Sequence, residues 1–340
     1  MSSRGLRILT EDECFVRRPA GLDAVTAACL PLAGVVALLF LVTLIGAPFA
    51  SARAATYPDV LTGDRYVLGT AVTLTTYQFA QVLGFAAGGA VVGFFGVRTS
   101  LFVDALTFAG SAFIVRAWVL SRPAPIVAIG SQHKPSRLAD LFAGARLVFG
   151  RRALRIPMLF GLLAAFYNAP EGVAAPLAGA LGGGAAAMGM ILAANSLGET
   201  VGAIMFSRFL APPTRLRLMG PLAIAACAVL ILFFRKPDLS ASLLVLFASG
   251  LCASYQLAAN AAFVSAAPHE QRSQAFGLAQ GGMSLGQGTV MILAGAAAQH
   301  HAPAQVIAVC GAIGALVALA VVVSSSRDRG GPTIERQQHP

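Results

Sequence analysis

Charged residues are scarce in this chain of 340 residues, where they make up 11% of positions against 57% that are hydrophobic. A water-soluble globule of this size needs more polar side chains than that to cover its surface. The scarcity excludes a soluble globular protein and leaves lipid as the medium around the chain. We therefore predict an integral membrane protein.

Patterns typical of metal sites are also missing. The cysteines are far apart, and the histidines fall in predicted connectors or in the C-terminal tail, away from acids at ligand spacing. We predict no metal, no cofactor and no enzymatic activity, since an intramembrane enzyme would need a nucleophile with a base, or metal ligands. The residues concerned are Cys14, Cys29, Cys227, Cys252 and Cys310, and His133, His269, His300, His301 and His339.

Long apolar stretches, by contrast, recur along the whole chain. Each is close to the roughly 20 residues with which a helix crosses the hydrocarbon layer of a bilayer. We predict an all-α polytopic bundle of about nine transmembrane helices. The stretches span residues 28–50, 68–95, 99–120, 157–180, 185–208, 218–234, 240–264, 275–298 and 303–324.

The net charge of +10 is distributed over short connectors rather than over one face, which argues against a nucleic-acid partner. Basic residues favour alternate connectors, as in membrane proteins whose positive loops stay inside. The longest connector, residues 121–156, carries seven of them and is predicted to be cytoplasmic. Apolar residues at near-helical spacing in it predict a short amphipathic helix along the inner membrane face.

Counting spans from this connector places the C-terminus in the cytoplasm and the N-terminal tail outside, although that tail carries Arg4, Arg7, Arg17 and Arg18. The connector separates three helices from six. The predicted parts are a tail at 1–27, a partial bundle at 28–120, the connector at 121–156, a six-helix bundle at 157–324 and a second tail at 325–340.

Two segments of the chain share one order of features. Residues 65–115 and 272–323 each contain an arginine, a helix rich in Gly and Gln, a short turn and a plain apolar helix. Parallel repeats of this kind are typical of transporters built from two similar bundles, whose substrate site lies between the bundles near the bilayer midplane.

Polar side chains lie in pairs on single faces of five predicted helices, because residues three, four or seven apart share a helix face. We predict that they line a proton and substrate pathway. The alternative for the amides is hydrogen bonding between helices, worth about 0.6 to 2 kcal/mol each. The pairs are Gln78 and Gln81, Asn168 and Glu171, Asn195 and Glu199, Gln256 and Asn260, and Gln280 and Gln287.

The two carboxylates among them carry more weight, because a charge at the bilayer centre costs at least about 2.5 kcal/mol. Pro170 and Pro176 are predicted to disrupt the helix around Glu171. Carboxylates held in low-dielectric cavities can exchange protons near neutral pH. We predict that Glu171 and Glu199 serve coupling to a proton gradient.

Several glycines lie in the second half of the helix predicted at 68–95. Gly84, Gly88 and Gly89 suit close helix packing. The run from Gly84 to Gly89, with sequence GFAAGG, also resembles the antiporter motif of the major facilitator superfamily, GPxxGG, at the end of its fifth helix. Phe85 stands where that motif has proline.

Three further stretches resemble the same superfamily, especially its drug and siderophore exporters of the enterobactin-exporter and macrolide-efflux type. They are 48–61, similar to the end of the fourth family helix, 170–178, similar to the seventh, and 268–277, similar to the connector before the eleventh. On this register the chain is expected to lack the first two to three family helices, with a remnant of the third at 20–30.

The resemblance implies a secondary active transporter of the cell membrane that exports small amphipathic or hydrophobic compounds by alternating access. Its partners would be the lipid bilayer, the small-molecule substrate and protons, although sodium stays open as the driving ion. The alternative is an incomplete, inactive or partner-dependent transporter with a structural membrane role.

Overall fold

The computed structural model describes residues 64–118, 145–268 and 272–327, and all regular structure in these ranges is helical. The chain divides into two compact units, Met1–Val72 and Thr73–Pro340. Of the first unit only residues 64–72 are described, as the beginning of a helix. Everything reported below about packing concerns the second unit.

Eleven helices are described with full bounds. They are α1 (Asp64–Trp118), α2 (Arg152–Leu162), α3 (Ala164–Tyr167), α4 (Ala169–Gly172), α5 (Ala174–Ala180), α6 (Gly184–Phe209), α7 (Pro212–Ala228), α8 (Leu239–Cys252), α9 (Tyr255–Ala266), α10 (Arg272–Ala297) and α11 (Pro303–Arg327). A 3₁₀ segment, Val229–Arg235, extends α7. These helices overlap eight of the nine predicted spans.

Helix α1 contains two of those spans and is interrupted where the short turn between them is predicted. Gly96 has φ 78° and ψ 166°, a backbone conformation that glycine adopts readily and other residues do not. Large apolar side chains on both sides of the break, such as Phe94 and Phe113, are exposed. Such exposed apolar surface suits a hydrocarbon environment.

The span predicted at 157–180 is a series of four short helices, α2 to α5. The chain turns at Leu163, Asn168 and Val173. Pro170 and Pro176 lack the N–H that an unbroken helix would use there, which accounts for the interruptions on either side of α4. The disruption around Glu171 is therefore as predicted from the prolines.

Helices α6 and α8 pack backbone against backbone. A Cβ atom added at Gly198 or Gly202 of α6 would overlap the backbone of α8, and one at Gly250 of α8 would overlap the backbone of α6. Only glycine permits two backbones to approach so closely. This contact fixes α6, which carries Asn195 and Glu199, against α8.

Helices α7 and α11 run antiparallel. Gly311 of α11 lies against Leu230, and Gly220 of α7 lies against Val322. Arg152, at the start of α2, donates a hydrogen bond to the carbonyl oxygen of Ser325 near the end of α11, at 2.9 Å. The start of α2 and the end of α11 therefore lie at the same end of the bundle.

Among the described residues, five helical segments have the length and hydropathy to cross a membrane: Thr76–Trp118, Gly184–Phe209, Pro213–Arg235, Leu239–Ala266 and Pro303–Ser325. The predicted all-α polytopic membrane fold is confirmed. The span at 28–50, the tail at 1–27 and most of the tail at 325–340 lie outside the described residues. So does most of the predicted amphipathic helix, of which residues 145–150 are described and helical.

Candidate functional site

A cavity of about 580 Å³ opens among the helices of the second unit. Residues of α2, α3, α6, α9 and α10 line it, with Gln78 of α1. Two of its walls are interrupted helices, because the turn after α2 and the turn Ala253–Ser254 between α8 and α9 both lie beside it. Interrupted helices are tolerated at membrane depth where they line a cavity, since other groups then satisfy the freed backbone.

A hydrogen-bond network joins these two interruptions. The hydroxyl of Tyr255 donates to the carbonyl oxygen of Phe160 at 3.0 Å. The amide nitrogen Nε2 of Gln256 lies 3.2 Å from the carbonyl oxygen of Gly161 and 3.2 Å from the hydroxyl of Tyr167. The rings of Tyr167 and Tyr255 pack edge to face, 6.3 Å apart. Side chains of α9 thus satisfy carbonyls at the end of α2.

Glu199 of α6 lies in the cavity wall and is partly buried. Asn195, one turn earlier, is 4% exposed. Its Nδ2 atom donates to Oδ1 of Asn168 at 3.4 Å, a long bond that links α6 to the turn before α4. Oδ1 of Asn195 is buried and has no hydrogen-bond partner.

Glu171 is partly buried in α4 and is not among the wall residues of the cavity. The turns at Asn168 and Val173, on either side of α4, set where this carboxylate lies.

Seven of the ten residues predicted for the pathway lie in the wall of this cavity, and three do not. Their role as a pathway stays a prediction, but the structure brings most of them together from helices far apart in sequence. Those in the wall are Gln78, Asn168, Glu199, Gln256, Asn260, Gln280 and Gln287; those outside it are Gln81, Glu171 and Asn195.

The described part of the cavity wall has an acidic side chain but no basic one. Among the described residues that line the cavity, Glu199 is the only acid, and none is Arg, Lys or His. Aromatic rings of Tyr167, Phe263 and Phe276 contribute to the same wall, the last two in an edge-to-face pair 5.4 Å apart. The cavity is therefore apolar and aromatic, with amides and a single carboxylate.

The glycines of the motif-like run differ in their surroundings. A Cβ at Gly89 would lie 2.7 Å from the Cα atom of Gly189, so α1 and α6 touch backbone to backbone there. A Cβ at Gly84 or Gly88 would meet no neighbouring atom within 4 Å. Helix packing accounts for Gly89, and an antiporter role for the three glycines stays a prediction.

Sequence reasoning missed Tyr167 and Tyr255. Both are buried, and both take part in the network around Gln256. A signal was available, because a tyrosine inside an apolar helix needs a hydrogen-bond partner for its hydroxyl. Tyr255 also directly precedes Gln256 in the sequence.

Comparison with known proteins relates one part of the chain to a family. No curated protein and no solved structure matches the chain. Within the described residues, no group of three His, Cys, Asp or Glu side chains is placed to hold a metal ion. The model of the Major Facilitator Superfamily matches residues 171–339, just under half of the chain, so this part of the chain is similar to that superfamily.

Proposed function

We propose that this protein is a secondary active transporter that exports small amphipathic compounds across the cell membrane in exchange for protons. The observation that carries the proposal is the cavity of about 580 Å³ among membrane-spanning helices, with the Glu199 carboxylate in its wall. Small-molecule sites usually enclose about 300 to 1,000 Å³ and combine mostly apolar walls with a few polar groups. The cavity has both properties.

Exchange with protons is supported by two partly buried carboxylates in the helical bundle. Glu199 lies in the wall of the cavity, whereas Glu171 lies in α4, outside that wall. A compound bound near Glu199 would change the proton affinity of Glu171. Protonation of Glu171 would in turn change the affinity of the cavity for the compound. Such linkage is reciprocal and can couple an outward substrate step to an inward proton step.

Alternating access requires parts that can move. The interruptions between α2 and α5, and between α8 and α9, lie beside the cavity and supply backbone positions that can change conformation. Interrupted helices at the midplane are a common device of secondary transporters. The resemblance of residues 84–89 to the antiporter motif supports export as the direction.

We place the C-terminus in the cytoplasm. Arg152 and Ser325 lie at the same end of the bundle, and the connector that leads to Arg152 is the most basic one in the chain. Positive connectors stay preferentially inside. The opposite end, with the connector before α11, would then face outward.

The test is transport by the purified full chain in proteoliposomes. We expect a proton gradient to drive movement of a fluorescent amphipathic dye, with counter-movement of protons reported by a pH-sensitive dye. Glu199→Gln should abolish both signals, and Asp104→Asn, at an exposed carboxylate of α1, should leave both unchanged. Absence of dye movement in the unaltered protein would reject transport, and movement driven by sodium alone would reject proton exchange.

A further inference from the structure

We infer that an apolar groove between α10 and α11 binds one acyl chain of a bilayer phospholipid, whose phosphate group contacts His301 and Gln305. This lateral groove has a volume of about 460 Å³, and Phe166 and Phe234 also line it. Among the described residues it shares no wall residue with the cavity that contains Glu199. The inference is therefore independent of the proposed transport.

Two helix faces form the sides of the lateral groove. Each contributes residues three, four and seven positions apart, which is the spacing of a single helix face. On α10 they are Val290, Leu293, Ala294 and Ala297, and on α11 the same spacing recurs from Val306 to Ile313. The two alanines of α10 have small side chains, so they leave space between the helices. An unbranched hydrocarbon chain suits such a narrow apolar space.

Strong hydrogen-bond donors lie at one end of the lateral groove. His301 is in the turn between α10 and α11, and Gln305 is in the first turn of α11. The backbone N–H of His301 donates to the carbonyl oxygen of Ala297 at 2.9 Å, which holds the turn at the mouth of the groove. Both side chains are exposed. Imidazole and amide groups can donate hydrogen bonds to phosphate oxygens.

The length of the lateral groove matches one leaflet of a bilayer. From Gln305 to Ile313 the helix rises about 12 Å, at about 1.5 Å per residue. One leaflet contributes about 15 Å to the hydrocarbon layer, which is roughly 30 Å thick. At the far end, Phe166 lies against Gly314 of α11. The groove thus has a polar mouth at a connector and an apolar depth close to that of an acyl chain in its leaflet.

The lateral groove is open to the surface of the bundle that faces lipid. Phe234, Leu293, Val309 and Ile313 line it, and each exposes between 46% and 63% of its surface. The segments Pro213–Arg235 and Pro303–Ser325, which contain three of these residues, have the length and hydropathy to cross a membrane. Exposed apolar surface in such segments suits a hydrocarbon environment. An acyl chain can therefore enter sideways from the bilayer.

Native mass spectrometry of the delipidated full chain in detergent provides the test, because it resolves each bound lipid and its dissociation constant. The probes are palmitoyl-oleoyl-phosphatidylglycerol and the diacylglycerol with the same two acyl chains, which lacks the phosphate. We expect the unaltered protein to bind the phospholipid at least about tenfold more tightly, since hydrogen bonds to a charged group are among the stronger ones.

Two matched pairs of variants locate the site. Ala297→Phe fills the lateral groove, whereas Ala296→Phe places the same ring at an exposed position outside the described lining. His301→Ala removes a donor at the mouth, whereas His300→Ala removes an exposed neighbour outside that lining. We expect Ala297→Phe to abolish the tightest phospholipid binding and His301→Ala to weaken it about fivefold. Both controls should bind like the unaltered protein.

Equal phospholipid binding by folded Ala297→Phe and Ala296→Phe would overturn the inference, and so would diacylglycerol binding as tight as that of the phospholipid. Elution profile and thermal unfolding check folding, and if Ala297→Phe does not fold, the histidine pair decides. A dimer that is lost in Ala297→Phe at unchanged lipid binding would assign the groove to a second copy of the chain instead. Failure of the lipid site leaves the proposed transport standing, and absence of transport leaves the lipid site standing.

Discussion

The hydroxyl of Tyr255 donates a hydrogen bond to the carbonyl oxygen of Phe160 at 3.0 Å, across 95 residues of sequence. Both residues are almost completely buried. The bond joins the last turns of α2 to the first residue of α9, the two places where helices are interrupted beside the cavity. It holds the interruptions in a defined position relative to each other.

Removing this hydroxyl should destabilise the bundle without altering its shape. Tyr255→Phe leaves the carbonyl of Phe160 with one partner fewer, and we expect a loss of about 1 to 2 kcal/mol in stability. Thermal unfolding of the purified protein in detergent measures the loss. Tyr77→Phe, at an exposed tyrosine of α1, is the matched control. Equal unfolding temperatures for the two variants would contradict the role assigned to Tyr255.

Gln256 should be more sensitive than its partly exposed position suggests. In Gln256→Leu the hydroxyl of Tyr167 and the carbonyl of Gly161 lose a donor, so we expect about 1 to 3 kcal/mol of destabilisation. Because Gln256 is also a wall residue, binding of the transported compound should weaken. Gln305→Leu, at an exposed amide of α11, should change neither property. Loss of stability in the control alone would argue against the network.

Adjacent glycines of α1 provide a matched pair. Gly89→Ala places a methyl group against the backbone of α6, whereas Gly88→Ala places one in open space. Overpacking of this kind typically costs about 1 to 3 kcal/mol, and alanine in an open helical position is favourable by up to about 1 kcal/mol. Thermal unfolding should therefore fall for Gly89→Ala and not for Gly88→Ala. The same fall in both variants would mean that the motif-like run acts through something other than contact with α6.

We expect Glu171 to serve proton coupling and Glu199 to serve compound binding. Glu171→Gln is expected to abolish proton-coupled movement while the protein still inserts and still binds compound, since Glu199 remains in the cavity wall. Proteoliposome flux and equilibrium dialysis measure the two properties independently. Unchanged proton-coupled flux would remove Glu171 from the mechanism, and a loss of compound binding equal to that of Glu199→Gln would show that the two roles are not separate.

The sequence was sufficient for the fold class and for several interruptions. Apolar length predicted the helices, the turn at 96–98 coincides with the break at Gly96, and Pro170 and Pro176 account for the turns around α4. Each of these features depends on residues next to one another in the chain, so the sequence alone reveals it.

Which carboxylate reaches the cavity was less accessible to sequence reasoning. Asn168 and Glu171 would share a face on an unbroken helix, but the chain turns at Asn168 and at Val173, and only Asn168 lies in the wall. The amount of rotation at such turns depends on packing against other helices. The pairing of Tyr255 with α2 is likewise tertiary, and no spacing along the chain encodes it.

The contact between α6 and α8 restricts how the molecule can move. With Gly198 and Gly202 on one side and Gly250 on the other, the two backbones leave no room for side chains between them. Sliding or rotation within this pair would produce immediate overlap. Helices α6 and α8 therefore move as one unit that carries Glu199, and conformational change is left to the interruptions outside this contact, such as the turn at Ala253–Ser254 that follows α8.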